Sequence, residues 1–367
     1  MSRTLELLES HVSDRTQWHF VVLRDADHLA LGECSDSGHP ANLVTELELA
    51  AGELRGRDLL ADRADIVDAL ARRAGERARP DAFVGATLMG GLEQLLTDHA
   101  AQAAGEPVWK WLGGSAPAPV RLYANINRVP GGRTPDDVAA AAMKAVTAGF
   151  SAVKCAPFDV PDGAGSLAAT GLRRLRAIRE AVGDDIELRV DCHERLPVEQ
   201  IHRLLPALED LGIGWLEDAV AMDQTRNLRA LRAATTIPLA GGELMFHAAE
   251  ADAAVSEGLI DVLMPDVKHA GGIERVLSIA RGVPELAVSP HNPSGPVATA
   301  AAAHLFAVCP NATDLEYQFG ETPWRSDLVG SLERIAEGHL HADDRPGLGL
   351  TLNTRHPSLR VLWSTTL

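Results

Sequence analysis

Cysteine is scarce in this sequence, and the four cysteines present form no metal-binding pattern. They lie far apart, at Cys34, Cys155, Cys192 and Cys309. No two of them have the spacing of about two to four residues that is typical of zinc sites. Reduced thiols are the ordinary state in the cytoplasm. We therefore expect free cysteines and a cytoplasmic protein.

Long apolar runs and positive charge are also lacking. No run reaches the ~20 apolar residues of a membrane span, and the first 15 residues carry charges throughout, unlike a secretory signal. The 51 acidic residues outnumber the 34 Lys and Arg, which gives a formal net charge of −17. This charge repels nucleic acid and anionic lipid, so we expect neither as a partner. If the substrate is itself an anion, cationic side chains at the site must offset the repulsion from this net negative charge.

What the sequence does contain is a repeat of short apolar runs that each end in an ionisable residue. Between Glu187 and Tyr317 they read ELRVDCH, GWLED, PLAGGE, VLMPD, LAVSPH and DLEY. Their end residues, which follow one another at intervals of 23 to 26 residues, are Asp191, Glu217, Glu243, Asp266, His291 and Glu316. A strand with its crossover helix needs roughly 25 to 30 residues. The repeat therefore predicts parallel strands covered by helices.

Two further strand-helix units precede this repeat and bring the strand count to eight. RLYANI is predicted as the first strand, and SAVKCAP as the second, with Lys154 near its end. A helix is predicted over residues 167–182, with its run of arginines on the solvated face. The fold class is thus α/β, a TIM-type (β/α)₈ or modified (β/α)₇β barrel over residues 119–320. Because the C-terminal ends of barrel strands share one face, the six end residues should converge there.

Residues 1–118 lack the repeat, and the chain of 367 residues has room for a smaller companion domain. WHFVVLRD and LALGECS predict a hairpin, and the pattern from 43 to 104 is helical, with breaks at Gly56, Arg79-Pro80 and Gly90-Gly91. We predict an α+β capping domain whose GECSDSGHP loop overhangs the barrel mouth. Residues 321–367 hold the strand signal PGLGLTLN and are predicted to pack back on the cap.

Three of the strand-end residues predict a metal site. Asp191, Glu217 and Glu243 end consecutive strands, and three carboxylates brought together repel one another unless a cation binds them. A ligand set made only of oxygen suits Mg²⁺ far better than Zn²⁺. A single acid at such a position is ordinarily a solvated loop residue or a helix cap. Three at nearly equal spacing favour Mg²⁺.

Asp266 and His291 end the next two strands, so the carboxylate can hold one ring nitrogen and raise the basicity of the other. A lone histidine before a Pro-rich loop is more often structural, but its place beside Asp266 in a metal-bearing ring favours His291 as a general base. His193 lies two residues beyond Asp191. Spacing leaves it open as a metal-site ligand, a packing residue or an acid. Lys154 either faces the barrel interior, where it would meet a substrate carboxylate, or extends to the rim.

The motifs VKCA, DCH, WLED, GGE, MPDVKHAGG, SPHNPSGP and LEY, in this order and spacing, resemble the enolase superfamily. Within it the chain is most similar to the mandelate racemase subgroup and its acid-sugar dehydratases of the D-galactonate dehydratase type. The resemblance implies that Asp191, Glu217 and Glu243 bind Mg²⁺ and that His291, with Asp266, is the base. It also implies that Glu316 hydrogen-bonds the substrate carboxylate and that His193 is the acid.

The chemistry that this resemblance implies is abstraction of the proton alpha to a carboxylate, which gives a metal-stabilised enediolate. Loss of the beta hydroxyl then yields a 2-keto-3-deoxy acid. The implied partner is a small sugar acid, aldonate or aldarate, and the implied assembly is a homo-oligomer. Which acid is used, and what Lys268 does, stay open.

Two departures from the family pattern keep other functions in view. Racemising members usually carry a second lysine on the second strand, where this chain has Ala156, and WLEDAV replaces a commoner WxEEP. The alternatives are a racemase, epimerase or cycloisomerase, or a catalytically silent barrel that acts as a binding module. The missing lysine disfavours a two-base racemase, and the intact Asp266 and His291 disfavour a silent barrel.

Overall fold

The computed structural model describes residues 3–25, 28–35, 40–75, 81–117, 119–161, 165–330, 333–341 and 344–367. The strands are β1 (Thr4–Ser13), β2 (Thr16–Asp25), β3 (His28–Glu33), β4 (Pro119–Asn125), β5 (Ala152–Cys155), β6 (Glu187–Asp191), β7 (Ile213–Glu217), β8 (Leu239–Gly241), β9 (Val262–Leu263), β10 (Ala287–Val288), β11 (Leu315–Gln318), β12 (Ile335–Ala336), β13 (His339–His341) and β14 (Leu359–Thr366).

The helices in the described ranges alternate with the strands from β4 to β11. They are α1 (Pro40–Leu54), α2 (Arg63–Gly75), α3 (Asp81–Ala104), α4 (Val108–Trp111), α5 (Pro135–Thr147), α6 (Leu167–Val182), α7 (Val198–Asp210), α8 (Thr225–Ala234), α9 (Asp252–Ser256), α10 (Ile273–Gly282), α11 (Pro296–Leu305) and α12 (Arg325–Leu328). In the part of the chain covered here, no helix is both long and apolar enough to span a membrane.

Strands β4 to β11 form a closed parallel barrel. Neighbours pair in chain order from β4 to β10, and β11 pairs with β4, with Glu316 opposite Tyr123. The ring closes where Val288 of β10 bridges Ala312, just before β11. This confirms the predicted TIM-type barrel. Successive strands are joined through α5 to α11, and the only α-helix after β11 in the described residues is the four-residue α12, so the connections match the (β/α)₇β form.

The N-terminal sheet has the antiparallel order β14-β1-β2-β3. Two of its strands were not predicted. These are β1 and β14. The charged residues of β1 obscure the strand pattern in the sequence, but they form ion pairs with neighbouring strands. Glu6 pairs with Arg24 of β2 at 2.8 Å, and Glu9 pairs with Arg360 of β14. The predicted strand PGLGLTLN is wrong, because that segment contributes only a single bridge at Gly347. The domain boundaries at 118 and 320 stay predictions.

Helices α1 to α3 cover one face of this sheet and share an apolar core with it that is separate from the barrel core. We call the N-terminal sheet and α1 to α3 the cap. The predicted helix break at Gly90-Gly91 is wrong, since α3 runs through it unbroken. Glycine is needed there for close packing, because a Cβ on Gly90 would lie 2.0 Å from the carbonyl oxygen of Lys268 and one on Gly91 would lie 3.2 Å from that of Glu33. The predicted break at Arg79-Pro80 lies outside the described residues.

The cap also supplies a side chain to a barrel helix. The Glu33 carboxylate, at the end of β3, accepts hydrogen bonds from the backbone N–H groups of Gly295 and Ala298 at 2.7 and 2.9 Å. These are unsatisfied donors at the N-terminus of α11. The contact ties the cap to the segment between His291 and α11. Residues 36–39 of the predicted overhanging GECSDSGHP loop lie outside the described residues.

Candidate active site

The three predicted metal ligands come together at the C-terminal face of the barrel. Asp191 ends β6, Glu217 ends β7, and Glu243 follows β8 after Gly242, whose φ of +107° turns the chain. Each offers one carboxylate oxygen, and these oxygens all lie within 4.8 Å of one another. Ligand oxygens on opposite sides of an octahedral Mg²⁺ are about 4.2 Å apart. The spacing therefore suits a small cation held by oxygen.

The electrostatics of this cluster also favour a cation. Burial, and then the neighbouring Asp191, raise the pKa of Glu217 well above its usual value. Burial would raise the pKa of Asp191 as well, but Lys154 and His193 outweigh it and lower that pKa to about 2. A buried carboxylate crowded by another is stabilised by any added positive charge. The residues therefore fit a divalent metal ion.

Lys154 lies inside the barrel and does not extend to the rim. Its side chain is fully buried on β5, and Nζ lies 2.6 Å from Oε1 of Glu217 and 2.8 Å from Oε1 of Glu316. Burial alone would lower the pKa of this ammonium, but the surrounding carboxylates raise it well above its usual value. Lys154 is therefore a permanent cation next to Asp191, Glu217 and Glu243, which we call the acidic cluster.

Asp266 and His291 form the predicted pair. Nδ1 of His291 lies 2.8 Å from Oδ2 of Asp266, and Lys268 donates to the same oxygen from Nζ at 2.7 Å. Burial would raise the pKa of Asp266, but Lys268, His269 and His291 lower it strongly, so this carboxylate is ionised. An ionised Asp266 accepts a hydrogen bond from Nδ1–H, which places the lone pair of a neutral His291 on Nε2.

The other ring nitrogen of His291, Nε2, lies against the acidic cluster. Nε2 lies 3.0 Å from Oε2 of Glu243, within ion-pair distance but without hydrogen-bond geometry. Burial would lower the pKa of His291. Glu243, Glu316 and Asp266 together outweigh burial and raise that pKa to about 9.

His193 is held between two carboxylates. The strand ends at Asp191 and His193 has a left-handed φ of +44°, so strand alternation does not set its direction. Instead Nδ1 lies 2.7 Å from Oδ1 of Asp159, and Nε2 lies 2.9 Å from Oδ2 of Asp191. Burial would lower the pKa of His193, but these two partners raise it to about 11. The two carboxylates therefore favour the protonated imidazole.

Glu316 is fully buried beneath these groups. Its Oε1 accepts from Asn125 at 2.6 Å, and its Oε2 accepts from the backbone N–H of Asn292 at 2.9 Å. Burial would raise the pKa of Glu316, but Lys154 and His291 lower it below its usual value. In this arrangement Glu316 favours the ionised form and holds Lys154.

A cavity of about 380 Å³ opens over this arrangement. Five predicted site residues line it, and they are Lys154, Asp191, His193, Glu243 and His291. Glu217, Asp266 and Glu316 are not among its lining residues but contact those that are. The cap contributes Arg15 and Phe83 to the cavity wall.

Three residues around the cavity were not assigned by sequence reasoning. Asp159, which holds His193, lies in the loop after β5 and carries no local signal. Lys268 had a signal, because it stands two residues after Asp266 in MPDVKHAGG, but spacing alone does not say that its Nζ turns back to that carboxylate. Arg133 lines the cavity from the loop between β4 and α5.

Comparisons with known proteins agree with this geometry. The family model described as "Enolase C-terminal domain-like" matches residues 137–356. A D-galactonate dehydratase from Verminephrobacter eiseniae is 31% identical over 351 residues, which cover 92% of this chain and 89% of that protein. A D-gluconate dehydratase from Thermoproteus tenax is 30% identical over 280 residues, which cover 74% of this chain but only 56% of that relative.

Solved structures show the same fold over nearly the whole chain. A mandelate racemase/muconate lactonizing enzyme from Jannaschia sp. CCS1 superposes with a TM-score of 0.81 at 28% identity, and covers 95% of this chain and 94% of that one. The family model spans more than half of the sequence, and the galactonate dehydratase is matched nearly end to end. The chain belongs to the enolase superfamily.

Proposed function

We propose that this chain is a Mg²⁺-dependent acid-sugar dehydratase. It would remove the proton alpha to the carboxylate of a sugar acid, eliminate the beta hydroxyl as water and release a 2-keto-3-deoxy acid. One observation carries the proposal. Two histidines contact different members of the acidic cluster, His193 at Asp191 and His291 at Glu243, and both line one cavity. The dehydratase names of the relatives at about 30% identity support it.

His291 is the proposed base. Its Nδ1–H donates to Asp266, so Nε2 carries the lone pair that takes the alpha proton. The pKa of about 9 is raised chiefly by Glu243 and Glu316. A cation bound at Glu243 would cancel much of that effect and bring the pKa of His291 closer to neutral, where a general base works best.

His193 is the proposed acid. Hydroxide is a poor leaving group at neutral pH, so the beta C–O bond breaks only as the departing oxygen receives a proton. The protonated imidazolium between Asp159 and Asp191 can deliver it and be left neutral. The electron pair of the broken C–H bond then forms the C=C bond of an enol, which tautomerises to the keto acid.

Asp191, Glu217 and Glu243 would hold Mg²⁺. When bound, that ion offsets the second negative charge that develops on the substrate carboxylate as the alpha proton leaves. Lys154 balances the same charge from inside the barrel. Glu316 hydrogen-bonds a substrate carboxylate only when it is protonated, and a nearby substrate anion would raise its pKa toward that form.

Racemisation by two bases is the weaker candidate, because Ala156 carries no titratable group. A panel of aldonates and aldarates, incubated with the protein and Mg²⁺, should reveal at least one that yields a 2-keto-3-deoxy acid. The Glu217→Gln variant, folded by circular dichroism, serves as the matched control and should yield none. Stereochemical inversion at the alpha carbon without keto acid would contradict the proposal and favour a racemase.

A further inference from the structure

Arg133 is a guanidinium in the cavity wall that the proposed chemistry does not use. It donates from Nη1 to the backbone oxygen of Asn127 at 2.8 Å and from Nη2 to that of Ala156 at 2.6 Å. Its Nε is buried and has no hydrogen-bond partner among the described residues. Within the same residues no carboxylate forms an ion pair with it. Its positive charge is therefore not neutralised by the protein that surrounds it.

Arg133 is half-buried, whereas Arg15 of the cap, which also has no ion pair among the described residues, is exposed. The remaining charged groups that line the cavity do have counter-charges. Arg128 lies 3.7 Å from Glu321, and Asp159 lies between His193 and Arg195. In a chain with a net charge of −17, a cation in a cavity without a carboxylate partner is notable. Guanidinium groups favour carboxylates, whose planar geometry they match. Arg133 therefore marks the place of an anion.

Hydrogen bonds from a buried arginine hold the wall that carries Arg133. Arg174 of α6 is only 1% exposed, so the prediction that this helix's arginines lie on its solvated face is wrong for it. It donates to the backbone oxygens of Arg133, Pro157 and Val160 at 2.5 to 2.7 Å. These bonds join the Arg133 loop to the loop after β5. The cation is thus held in place before a ligand arrives, which lowers the entropic cost of binding.

Arg133 shares its cavity with Lys154. Its guanidinium is held at the carbonyl of Ala156, two residues beyond Lys154 in the chain, and both side chains line the cavity. A ligand with two anionic groups could place one beside Lys154 and the other beside Arg133.

We propose that Arg133 binds the second carboxylate of the substrate, and that the substrate is therefore a sugar diacid. This rests on the proposed function, because the first carboxylate is the one placed beside the acidic cluster and Lys154. A monoacid carries a neutral hydroxymethyl group at that end. It would leave the guanidinium without a counter-charge, so the diacid should bind better.

The test measures binding to the Mg²⁺-loaded protein by calorimetry, with galactarate against galactonate and glucarate against gluconate. Within each pair only the end group differs. The wild type should bind the diacid of at least one pair tenfold or more tighter. Arg133→Met should weaken that diacid by about 10- to 150-fold, the loss of a charge-assisted hydrogen bond. It should change the monoacid less than about threefold, and Arg133→Lys should restore part of the affinity.

Arg15→Met and Arg128→Met are the matched controls, since both residues line the same cavity. If either of them, and not Arg133→Met, removes the diacid preference, the assignment is wrong. Tighter binding of monoacids, equal binding of both classes or binding of neither also overturns it. If diacid binding depends on Arg133 but no keto acid forms, the proposed function is wrong and the role of Arg133 stands. If monoacids are dehydrated at a rate that Arg133→Met leaves unchanged, the role of Arg133 is wrong and the proposed function stands.

Discussion

Gly90 of α3 packs against the backbone of Lys268, so closely that a Cβ on Gly90 would lie 2.0 Å from the Lys268 carbonyl oxygen. Lys268 follows Asp266 by two residues and binds its carboxylate through both its backbone N–H and its Nζ. The cap thus contacts the segment that orients the proposed base. Its packing and the geometry of the Asp266–His291 pair are therefore linked.

Gly90→Ala should lower the free energy of unfolding by about 1 to 3 kcal/mol, because the helix or the segment after β9 must shift to admit the methyl group. Gly52→Ala in α1 is the matched control. Nothing lies within 4 Å of its Cβ position, so alanine should stabilise the helix by up to about 1 kcal/mol. Urea unfolding of both variants measures the difference. Equal stability of the two would show that the contact at Gly90 relaxes freely.

Glu93 of α3 should make stability fall as the pH rises. Burial raises its pKa to about 7, and Arg63 lowers it less than burial raises it. Because the folded state binds this proton more tightly than the unfolded chain, the stabilisation is complete below about pH 4.5. It is lost as the pH rises through about 7. The change from pH 5 to pH 8 should be on the order of 3 kcal/mol.

Urea unfolding across that range, with Glu93→Gln beside the wild type, measures this effect. The variant should show a shallower slope of the same sign, since Asp98, whose pKa burial raises to about 6, still contributes. A slope that the variant leaves unchanged would mean that Glu93 is already ionised at pH 5.

Metal binding should be visible as thermal stabilisation. MgCl₂ added to EDTA-treated wild type should raise the unfolding temperature, with a gain of about 2.7 kcal/mol at a hundredfold excess over the dissociation constant. Glu243→Gln, which removes one ligand of the acidic cluster, should lose most of the shift. Glu199→Gln, on the exposed start of α7, should keep it. Identical shifts in wild type and Glu243→Gln, or full turnover after metal removal, would argue against the site.

The sequence predicted the barrel and the meeting of its strand-end residues because one periodic rule governs both. Each strand of a parallel barrel ends on the same face, so Asp191, Glu217 and Glu243 needed only their spacing to be placed together. The partners of these residues follow no such rule. Asp159 reaches His193 from the loop of another strand, and the pairing of β1 with β14 joins the two ends of the chain.

Helical periodicity likewise did not predict the burial of Arg174. An arginine-rich helix face is ordinarily solvated. Only the path of two loops places backbone carbonyls where they accept the hydrogen bonds of the buried Arg174 guanidinium. That path depends on tertiary packing. Gly90 and Gly91 also depend on tertiary packing. Two adjacent glycines predict a helix break locally, but here they allow close contact between the cap helix and its neighbours.

The division of labour between the two histidines is the central claim, and alpha-proton exchange in deuterated solvent separates their roles. With an acid sugar that the wild type dehydrates, His291→Asn should abolish both exchange and dehydration. His193→Asn should abolish dehydration but spare exchange, since the base is intact. Loss of a general acid or base costs about 10² to 10⁴ in rate, which is ample to resolve the outcomes. Dehydration at the parental rate by His193→Asn, or loss of exchange as complete as in His291→Asn, would contradict the account.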